Sequence, residues 1–251
     1  MTLKIHQFSY NSDNYGVLVH DPTSRATTCV DAGDAGAVLE AVAETGWSLS
    51  ELWITHHHWD HVDGLAEVKA KTGCTVTGPD GVKGVDRAVA GGEMFDFADS
   101  EVTLIHTPGH TLDMLNYYIA DEKIVFTGDT LFVMGCGRLF EGDGPMMWES
   151  MKKLMALPPD TTIYCAHEYT LANAEFTLSV DPENQALKAQ VDRVRSLRDA
   201  GKPTVPTDLA TELATNPFLR AGDANIRAQL GMEQASDAEV FTEIRFRKDN
   251  F

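Results

Sequence analysis

The amino-acid sequence predicts an α+β fold in which helices cover β-sheets. The first two-thirds of the 251 residues alternate short apolar strands with helical stretches, which is typical of layered sheets and helices. The last third, from about residue 170, is expected to be mainly helical. Several apolar strands end directly before His or Asp residues. This placement indicates a rigid scaffold that carries functional side chains on its loops.

The predicted strands are short, apolar and bounded by turn-forming residues. Two of them are expected to form a hairpin through Asp121-Glu122. The predicted strands are residues 15–20, 27–31, 51–55, 75–78, 102–106, 115–120, 123–127 and 161–165.

Helices are predicted where apolar residues recur every three or four positions. Asp34 is expected to cap the first helix, and further helices are expected at residues 63–71 and 147–157. In the last third, Asp181-Pro182 is a favourable helix start and Gly201 a favourable stop. A short helix is expected at residues 208–214. We therefore predict two domains, residues 1–169 and residues 170–251.

The composition limits the kinds of partner. Hydrophobic residues make up 43% of the chain, which is enough for a substantial core. Lys and Arg number 20 against 38 Asp and Glu, so the formal net charge is 20 − 38 = −18. This charge disfavours nucleic acid and anionic membranes, which attract basic surfaces. The expected partner is a small molecule, with no nucleic acid, membrane or obligate protein partner.

A cytoplasmic location is expected from the same sequence. Residues 1–10 lack the apolar core of a signal peptide, and no stretch approaches the length of a membrane span. The cysteines are scattered without a C-x-x-C pair, and in a chain of this length they are interpreted as buried reduced thiols. They are Cys29, Cys74, Cys136 and Cys165.

Residues 55–61 place four possible metal ligands within six residues, directly after an apolar run. The four are His56, His58, Asp60 and His61. His56 and His58 lie two apart, so in an extended chain their side chains leave the same face. Imidazole and carboxylate are the usual donors for zinc and neighbouring transition metals. The segment therefore predicts a metal site.

Three further donors, His110, Asp129 and His167, follow other predicted strands. The resulting seven donors exceed what one tetrahedral ion accepts. Two ions ~3.5–4 Å apart, with three ligands private to each and one shared carboxylate, account for all seven. Water held between two cations reaches a pKa of about 7, and the cations also stabilise an oxyanion. A thioester suits such a site, because its thiolate leaving group has a conjugate-acid pKa of only ~8.5.

These residues resemble the metallo-β-lactamase fold, whose H-x-H-x-D-H motif matches residues 56–61. More narrowly, the chain is similar to the glyoxalase II (hydroxyacylglutathione hydrolase) family. The resemblance implies an αββα sandwich with a smaller helical C-terminal domain. It also implies hydrolysis of S-D-lactoylglutathione to D-lactate and glutathione, the second step of methylglyoxal detoxification. The matching segments are residues 55–61, 106–111, 126–132, 135–138, 167–170 and 248–251.

The resemblance further implies the roles of single residues. One metal is bound by His56, His58 and His110, the other by Asp60, His61 and His167, and Asp129 bridges them. Asp60 and Asp129 are the expected catalytic carboxylates, which hold the water-activating ions. The residues expected to hold the glutathione part are Arg138, Tyr169, Arg245 and Lys248.

The sequence departs from the family pattern at two positions, and it leaves the metal, the role of Asp31 and the activity with alternatives. Phe140 falls where some relatives have tyrosine, and Asp63 falls where glycine is common. The N/O donor set accepts zinc, iron or manganese, with zinc favoured. Asp31 is either a turn former or a residue that orients a ligand histidine. The rival activities are a glutathione-persulfide dioxygenase using one iron, another hydrolase such as a lactonase or nuclease, and a non-enzymatic metal-binding module.

Overall fold

A computed structural model describes residues 2–251 of the chain. The chain forms two compact units. The first runs to His106 and resumes over Asp113–Gly128, and the second comprises Thr107–Leu112 and Asp129–Phe251. Within residues 2–251, no helix combines the length and apolar character needed to cross a membrane. The predicted domain boundary near residue 170 stays a prediction.

The first unit begins with a sheet whose strands are adjacent in chain order. β1 to β3 are antiparallel neighbours, whereas β3 to β6 run parallel. The strands are β1 (Lys4–Tyr10), β2 (Asn14–His20), β3 (Thr27–Val30), β4 (Glu51–Trp53), β5 (Thr75–Gly78) and β6 (Arg87–Ala88).

Helices α1 (Ala35–Thr45), α2 (Trp59–Val62) and α3 (Leu65–Thr72) connect the parallel strands. Asp34 caps α1 as expected, because its side chain accepts a hydrogen bond from the backbone of Ala37. Buried residues of α1 and α3 join those of β4 and β5 in one apolar cluster. A layer of helices therefore covers one face of this sheet.

A second, antiparallel set of strands packs on the other face. It consists of β7 (Met94–Phe97), β8 (Ser100–His106), β9 (Leu115–Ile119) and β10 (Ile124–Gly128). The Trp53 ring stacks on Tyr117 at 5.2 Å and meets Phe97 edge-on at 5.1 Å. The Tyr117 hydroxyl donates to the Ile54 carbonyl over 2.7 Å. The first unit therefore has an α/β/β layer order.

The second unit is mainly helical, with short paired strands. Its core includes Phe176, Phe218 and Phe241, and the Phe218 ring lies 6.2 Å from that of Phe176 and 5.7 Å from that of Phe241. The elements are β11 (Leu131–Phe132), β12 (Gly135–Cys136), α4 (Gly144–Met155), β13 (Thr162–Cys165), α5 (Thr170–Val180), α6 (Gln185–Asp199), β14 (Thr207–Asp208), α7 (Leu209–Thr215), α8 (Ala224–Leu230) and α9 (Asp237–Asp249).

The predicted helix start at Asp181-Pro182 is wrong. Asp181 ends α5, and Asn184 caps α6 by accepting a hydrogen bond from the backbone of Leu187. The Asp181 carboxylate instead accepts from the Asn184 amide over 2.8 Å and pairs with Arg220. Asp-Pro is equally suited to a turn between two helices, and here these tertiary contacts fix the turn. The short helix expected near residue 208 is confirmed as α7.

Glu212 on α7 is a fully buried carboxylate. Its side chain accepts hydrogen bonds from the Met134 backbone, the Asn216 amide and the Thr207 hydroxyl. Burial raises the pKa of Glu212 from 4.5 to about 7 in spite of these donors.

Glu212 is expected to make the stability of the protein depend on pH. Because its folded-state pKa lies above the unfolded value of 4.5, the folded chain holds this proton more tightly. The stabilisation is therefore full below pH 4.5, falls as the pH rises and is lost above pH 7. The difference corresponds to about 3 kcal/mol. Denaturant unfolding of wild type and Glu212→Gln is measured from pH 4.5 to 8. The free energy of unfolding of wild type should fall relative to that of the variant as the pH rises. A stability difference that is constant over this range would contradict the assignment.

Candidate metal centre

The donors that follow β4 lie close together within the first unit. His56 Nε2 is 3.0 Å from His58 Nδ1, and the rings of His56 and His61 are 4.1 Å apart. His61 Nε2 lies 3.6 Å from Asp60 Oδ2. His56 and His61 are fully buried. The sequence prediction that this segment forms a cluster of donors agrees with this arrangement.

The backbone after β4 explains how these side chains come together. His58 is extended and precedes the first turn of α2, which carries Asp60 and His61. The Asp60 carbonyl lies so close to Gly33 that a Cβ there would be 1.8 Å from it. Gly33 therefore allows the turn to approach the loop after β3, and a side chain at this position would displace Asp60.

Asp31 orients one of the histidines. Its Oδ2 is 2.8 Å from His61 Nδ1, and its Oδ1 accepts a hydrogen bond from the Thr55 backbone over 2.8 Å. With Nδ1 bound to the carboxylate, Nε2 is the nitrogen that faces the other donors, as in metal sites whose ligand histidines are oriented by outer partners. Asp31 also has a φ of +60°, as expected of a turn former, and its contact with His61 favours an orienting role as well.

Asn14 and Tyr10 hold Asp60 in the same way. The Asn14 amide donates to Asp60 Oδ2 over 3.0 Å, and the Tyr10 hydroxyl donates to the Asp60 carbonyl over 2.9 Å. Both partners are buried. They lie 46 and 50 positions away in the sequence, and no local pattern identified them.

Asn14→Ala is expected to weaken metal binding. The substitution removes the hydrogen bond that fixes the Asp60 carboxylate, and losing such an outer partner typically costs about 10–100-fold in metal affinity. Titration with a chelator of known affinity measures the change. Ser12→Ala in the turn directly before β2 is the matched control, because the Ser12 hydroxyl bonds only its neighbour Asp13 among the contacts described. Unchanged metal affinity in Asn14→Ala would show that Asn14 does not position Asp60.

The second unit contains the remaining donors in a separate arrangement. Asp129 lies between two histidines: its Oδ2 is 3.3 Å from His110 Nε2 and its Oδ1 is 3.2 Å from His167 Nε2. His110 Nδ1 lies 2.8 Å from the Arg138 carbonyl, to which it donates when Nε2 serves as a metal donor. Asp129 therefore presents one carboxylate oxygen to each of the two histidines, close enough for all three side chains to contribute donors to a metal site.

The donor sets of both units fit a transition-metal ion. Zinc binds nitrogen and oxygen donors at about 2.0–2.2 Å, so neighbouring donors on a tetrahedron lie about 3.3 Å apart. The donor separations of 3.0–3.6 Å in the first unit and 3.2–3.3 Å in the second agree with this spacing. The donors are nitrogen and oxygen atoms, which suit zinc, iron and manganese alike.

The residues expected to bind glutathione lie in the second unit and differ in exposure. The Tyr169 ring stacks on His167 at 4.6 Å. Arg138 is exposed and lies 3.4 Å from Asp249, while the Lys248 ammonium donates to the Ala172 carbonyl over 3.0 Å. Partial burial lowers the pKa of Lys248. These exposed or half-buried cations are available to an anionic ligand.

Arg245 differs from the other three because it is buried, at 6% exposure. Its Nη1 donates to the Cys136 carbonyl and its Nη2 to Asp249, each over 2.8 Å. Within residues 2–251, its Nε is buried without a hydrogen-bond partner. Arg245 therefore anchors the segment before Arg138 and still retains one buried donor.

The cysteines near these loops are not nucleophiles. Burial raises the pKa of Cys136 to about 11 and that of Cys165 to about 12. Both thiols are therefore protonated at neutral pH and pack as small apolar groups.

His57 lies between two donor histidines in the sequence but points away from them, and its Nδ1 lies 3.0 Å from Asp113. Phe140 packs edge-on against His110 at 5.3 Å.

Comparison with known proteins is consistent with this arrangement. The family model described as "Metallo-beta-lactamase superfamily" matches residues 26–167, and the one described as "Hydroxyacylglutathione hydrolase C-terminus" matches residues 168–251. A protein of Brucella ovis named "Hydroxyacylglutathione hydrolase" is 51% identical over 253 residues, which cover 99% of this chain and 98% of the relative.

Solved structures show the same fold. ETHE1 from Myxococcus xanthus superposes with a TM-score of 0.70 at 25% identity, covering 98% of this chain and 90% of that chain. The BLEG-1 B3 metallo-β-lactamase superposes with a TM-score of 0.66 at 18% identity, covering 86% of this chain and 99% of that one. The predicted α+β class and metallo-β-lactamase-like sandwich with a helical C-terminal part are confirmed.

Proposed function

The chain belongs to the hydroxyacylglutathione hydrolase family of the metallo-β-lactamase superfamily, and on this premise we propose how it acts. It is a metal-dependent thioesterase that hydrolyses S-(2-hydroxyacyl)glutathione to glutathione and a 2-hydroxy acid. S-D-lactoylglutathione is the expected substrate and D-lactate the expected product. The observation that carries the proposal is Asp129, whose two carboxylate oxygens each face a histidine Nε2.

We assign seven side chains to one pair of divalent ions. His56, His58 and His110 would hold one ion, Asp60, His61 and His167 would hold the other, and Asp129 would be the ligand shared by both. The assignment is supported by the donor separations inside each unit and by the outer partners of His61, Asp60 and His110. Zinc is the expected metal, with iron or manganese as alternatives.

When bound at these donors, a pair of divalent ions would supply an activated water near neutral pH and would polarise the thioester carbonyl. The protein residues prepare this chemistry by fixing the donors. Asp31 keeps His61 Nε2 facing inward, and the Arg138 carbonyl does the same for His110. The carboxylates of Asp60 and Asp129 would balance the positive charge of the two ions, which would otherwise repel each other at short range. The thiolate leaves without a strong general acid, because its conjugate acid has a pKa of about 8.5.

Arg138, Tyr169, Arg245 and Lys248 are assigned to the glutathione part of the substrate. A guanidinium and an ammonium suit the carboxylates of the tripeptide. Arg138 and Lys248 offer exposed or half-buried charges. Arg245 offers its buried Nε, and its hydrogen bond to the Cys136 carbonyl fixes the segment before Arg138.

The rival activities are less well supported. A one-iron persulfide dioxygenase is not favoured, because relatives at 51% identity along nearly the whole chain are named hydroxyacylglutathione hydrolase. The net charge of −18 disfavours a nuclease.

A cytoplasmic location is part of the proposal. A reducing compartment keeps cysteines as free thiols, and the four cysteines of the chain are free and buried: Cys29, Cys74, Cys136 and Cys165.

Release of free thiol from S-D-lactoylglutathione by metal-loaded protein tests the function directly. We expect turnover that a chelator abolishes and added zinc restores. A lactoyl thioester of a small uncharged thiol is the matched substrate, and it should be hydrolysed with a much higher KM. No thiol release from either thioester by protein that contains its metal would rule the activity out.

A further inference from the structure

The hairpin formed by β11 and β12 is held from one side by a helix. Its two-residue turn consists of Val133 and Met134. The Asn173 amide of α5 donates to the Val133 carbonyl over 3.0 Å, and the Thr177 hydroxyl donates to the Met134 carbonyl over 3.1 Å. Both carbonyls therefore find their partners in side chains of α5.

Helix α7 holds the same hairpin through a carboxylate and an amide. Glu212 Oε2 accepts from the Met134 backbone over 2.8 Å and from Asn216 Nδ2 over 3.0 Å. The Asn216 amide also donates to the carbonyls of Phe132 and Gly135, over 3.2 and 3.0 Å. Asn173, Thr177, Glu212 and Asn216 are all buried and are called the buried clamp below.

Met134 explains why such a clamp is needed. Its φ of +53° lies in the left-handed region, which costs a residue with a Cβ of order 1–3 kcal/mol and persists only where the surroundings enforce it. The hydrogen bond to Glu212 fixes the Met134 amide, and the one from Thr177 fixes its carbonyl. The turn conformation therefore depends on side chains that are distant in sequence.

The hairpin in turn connects the metal donors of the second unit. It lies between Asp129 and Arg138, whose carbonyl orients His110. Its Phe132 ring meets the His167 ring edge-on at 5.8 Å. At Gly137, directly after β12, a Cβ would lie 2.0 Å from the Asp129 carbonyl. A shift of the hairpin would thus move Asp129, His110 and His167 together.

We propose that Glu212 is a positioning residue, which fixes the hairpin with the rest of the buried clamp and thereby fixes the three metal donors of the second unit. The inference rests on the proposed metal centre for its consequence. Within residues 2–251 the Glu212 side chain is hydrogen-bonded to Met134, Thr207 and Asn216, so we place its effect on the donors through the hairpin.

The hydrogen-bond pattern identifies an isostere that preserves the clamp. Met134 and Asn216 can only donate to Oε2, whereas the Thr207 hydroxyl beside Oε1 can donate or accept. Glutamine at this position retains a carbonyl oxygen for Met134 and Asn216 and presents its NH₂ to Thr207. Methionine has a volume similar to that of glutamate but offers no comparable acceptor to the Met134 backbone and the Asn216 amide.

Cobalt(II) binding tests the proposal without any substrate. Affinity is measured by competition with a chelator, and the visible absorption of bound cobalt reports the geometry of its ligands. Glu212→Met is expected to lose about tenfold in affinity, as for loss of an outer partner, and to change the spectrum. Glu212→Gln is expected to keep both. Leu209→Ala is the matched control, because it removes buried packing from the same helix and its side chain forms no hydrogen bond.

Two results would overturn the proposal. One is a folded Glu212→Met protein with wild-type cobalt affinity and spectrum. The other is an equal change in Leu209→Ala, which would mean that general destabilisation of α7 is sufficient. If Glu212→Met does not fold, Thr177→Val removes one bond of the clamp, and an unchanged spectrum there also overturns the proposal. Failure to hydrolyse thioesters would reject the proposed function and leave these readouts unaffected.

Discussion

Asp129→Ala is expected to lower kcat/KM for S-D-lactoylglutathione by at least about 10³-fold. Asp129 is the shared ligand in the proposed centre, and its removal leaves two cations repelling each other at short range. A bound metal contributes several kcal/mol of transition-state stabilisation, and each 1.36 kcal/mol is a factor of ten in rate. Steady-state kinetics with metal content measured on the same sample provide the readout.

Metal loss should accompany the loss of activity in Asp129→Ala. We expect one ion or fewer per chain in this variant, since both His110 and His167 lose the carboxylate beside them. Asp113→Ala is the matched control, because Asp113 pairs with His57 and is not one of the seven assigned donors. Near-wild-type turnover of Asp129→Ala would remove the bridging carboxylate from the mechanism.

Arg138→Gln with Lys248→Gln is expected to raise KM about a hundredfold while kcat changes little. Both cations are assigned to the glutathione carboxylates, which are the same in substrate and transition state, so their loss weakens both equally. Each charge-assisted contact is worth about 1.5–3 kcal/mol, and the lower value applies to cations as accessible as these. This pair tests binding better than Arg245 does, because the buried Arg245 guanidinium also donates to the Cys136 carbonyl and its loss would disturb the structure as well.

Two controls separate binding of the tripeptide from a general charge effect. Arg193→Gln with Arg195→Gln changes the net charge equally at exposed positions of α6 and should leave KM unaltered. A lactoyl thioester of a small uncharged thiol should be hydrolysed equally by the Arg138/Lys248 variant and wild type. If the variant slowed both thioesters to the same extent, these residues would not recognise glutathione.

The donor-bearing loops were predictable from the sequence because each follows an apolar strand. The structure shows strands ending at Trp53, His106, Gly128 and Cys165, shortly before the donor residues. Strand ends are local features, so periodicity and residue type were sufficient to find them. The outer partners were not local. Asn14 reaches Asp60 across 46 positions, and Glu212 reaches Met134 across 78.

Helix α5 was missed for a physical reason. Its buried positions include Asn173 and Thr177, which face the hairpin as hydrogen-bond donors. Polar residues therefore occupy part of its inner face, and the helix lacks the apolar stripe from which helices are predicted. Helix α9 has the same feature in Arg245, a buried cation. Both helices contribute residues to the proposed centre or its support.

Metal stoichiometry tests the dinuclear centre most directly. The protein is loaded with excess zinc, freed of unbound metal, and analysed for metal and for protein concentration alongside thioester hydrolysis. Seven donors with Asp129 between two histidines predict close to two ions per chain at full activity. Asp60→Ala should retain about one, because it removes a donor from only one of the two proposed ions. A fully active wild-type preparation that holds a single ion per chain would contradict the account.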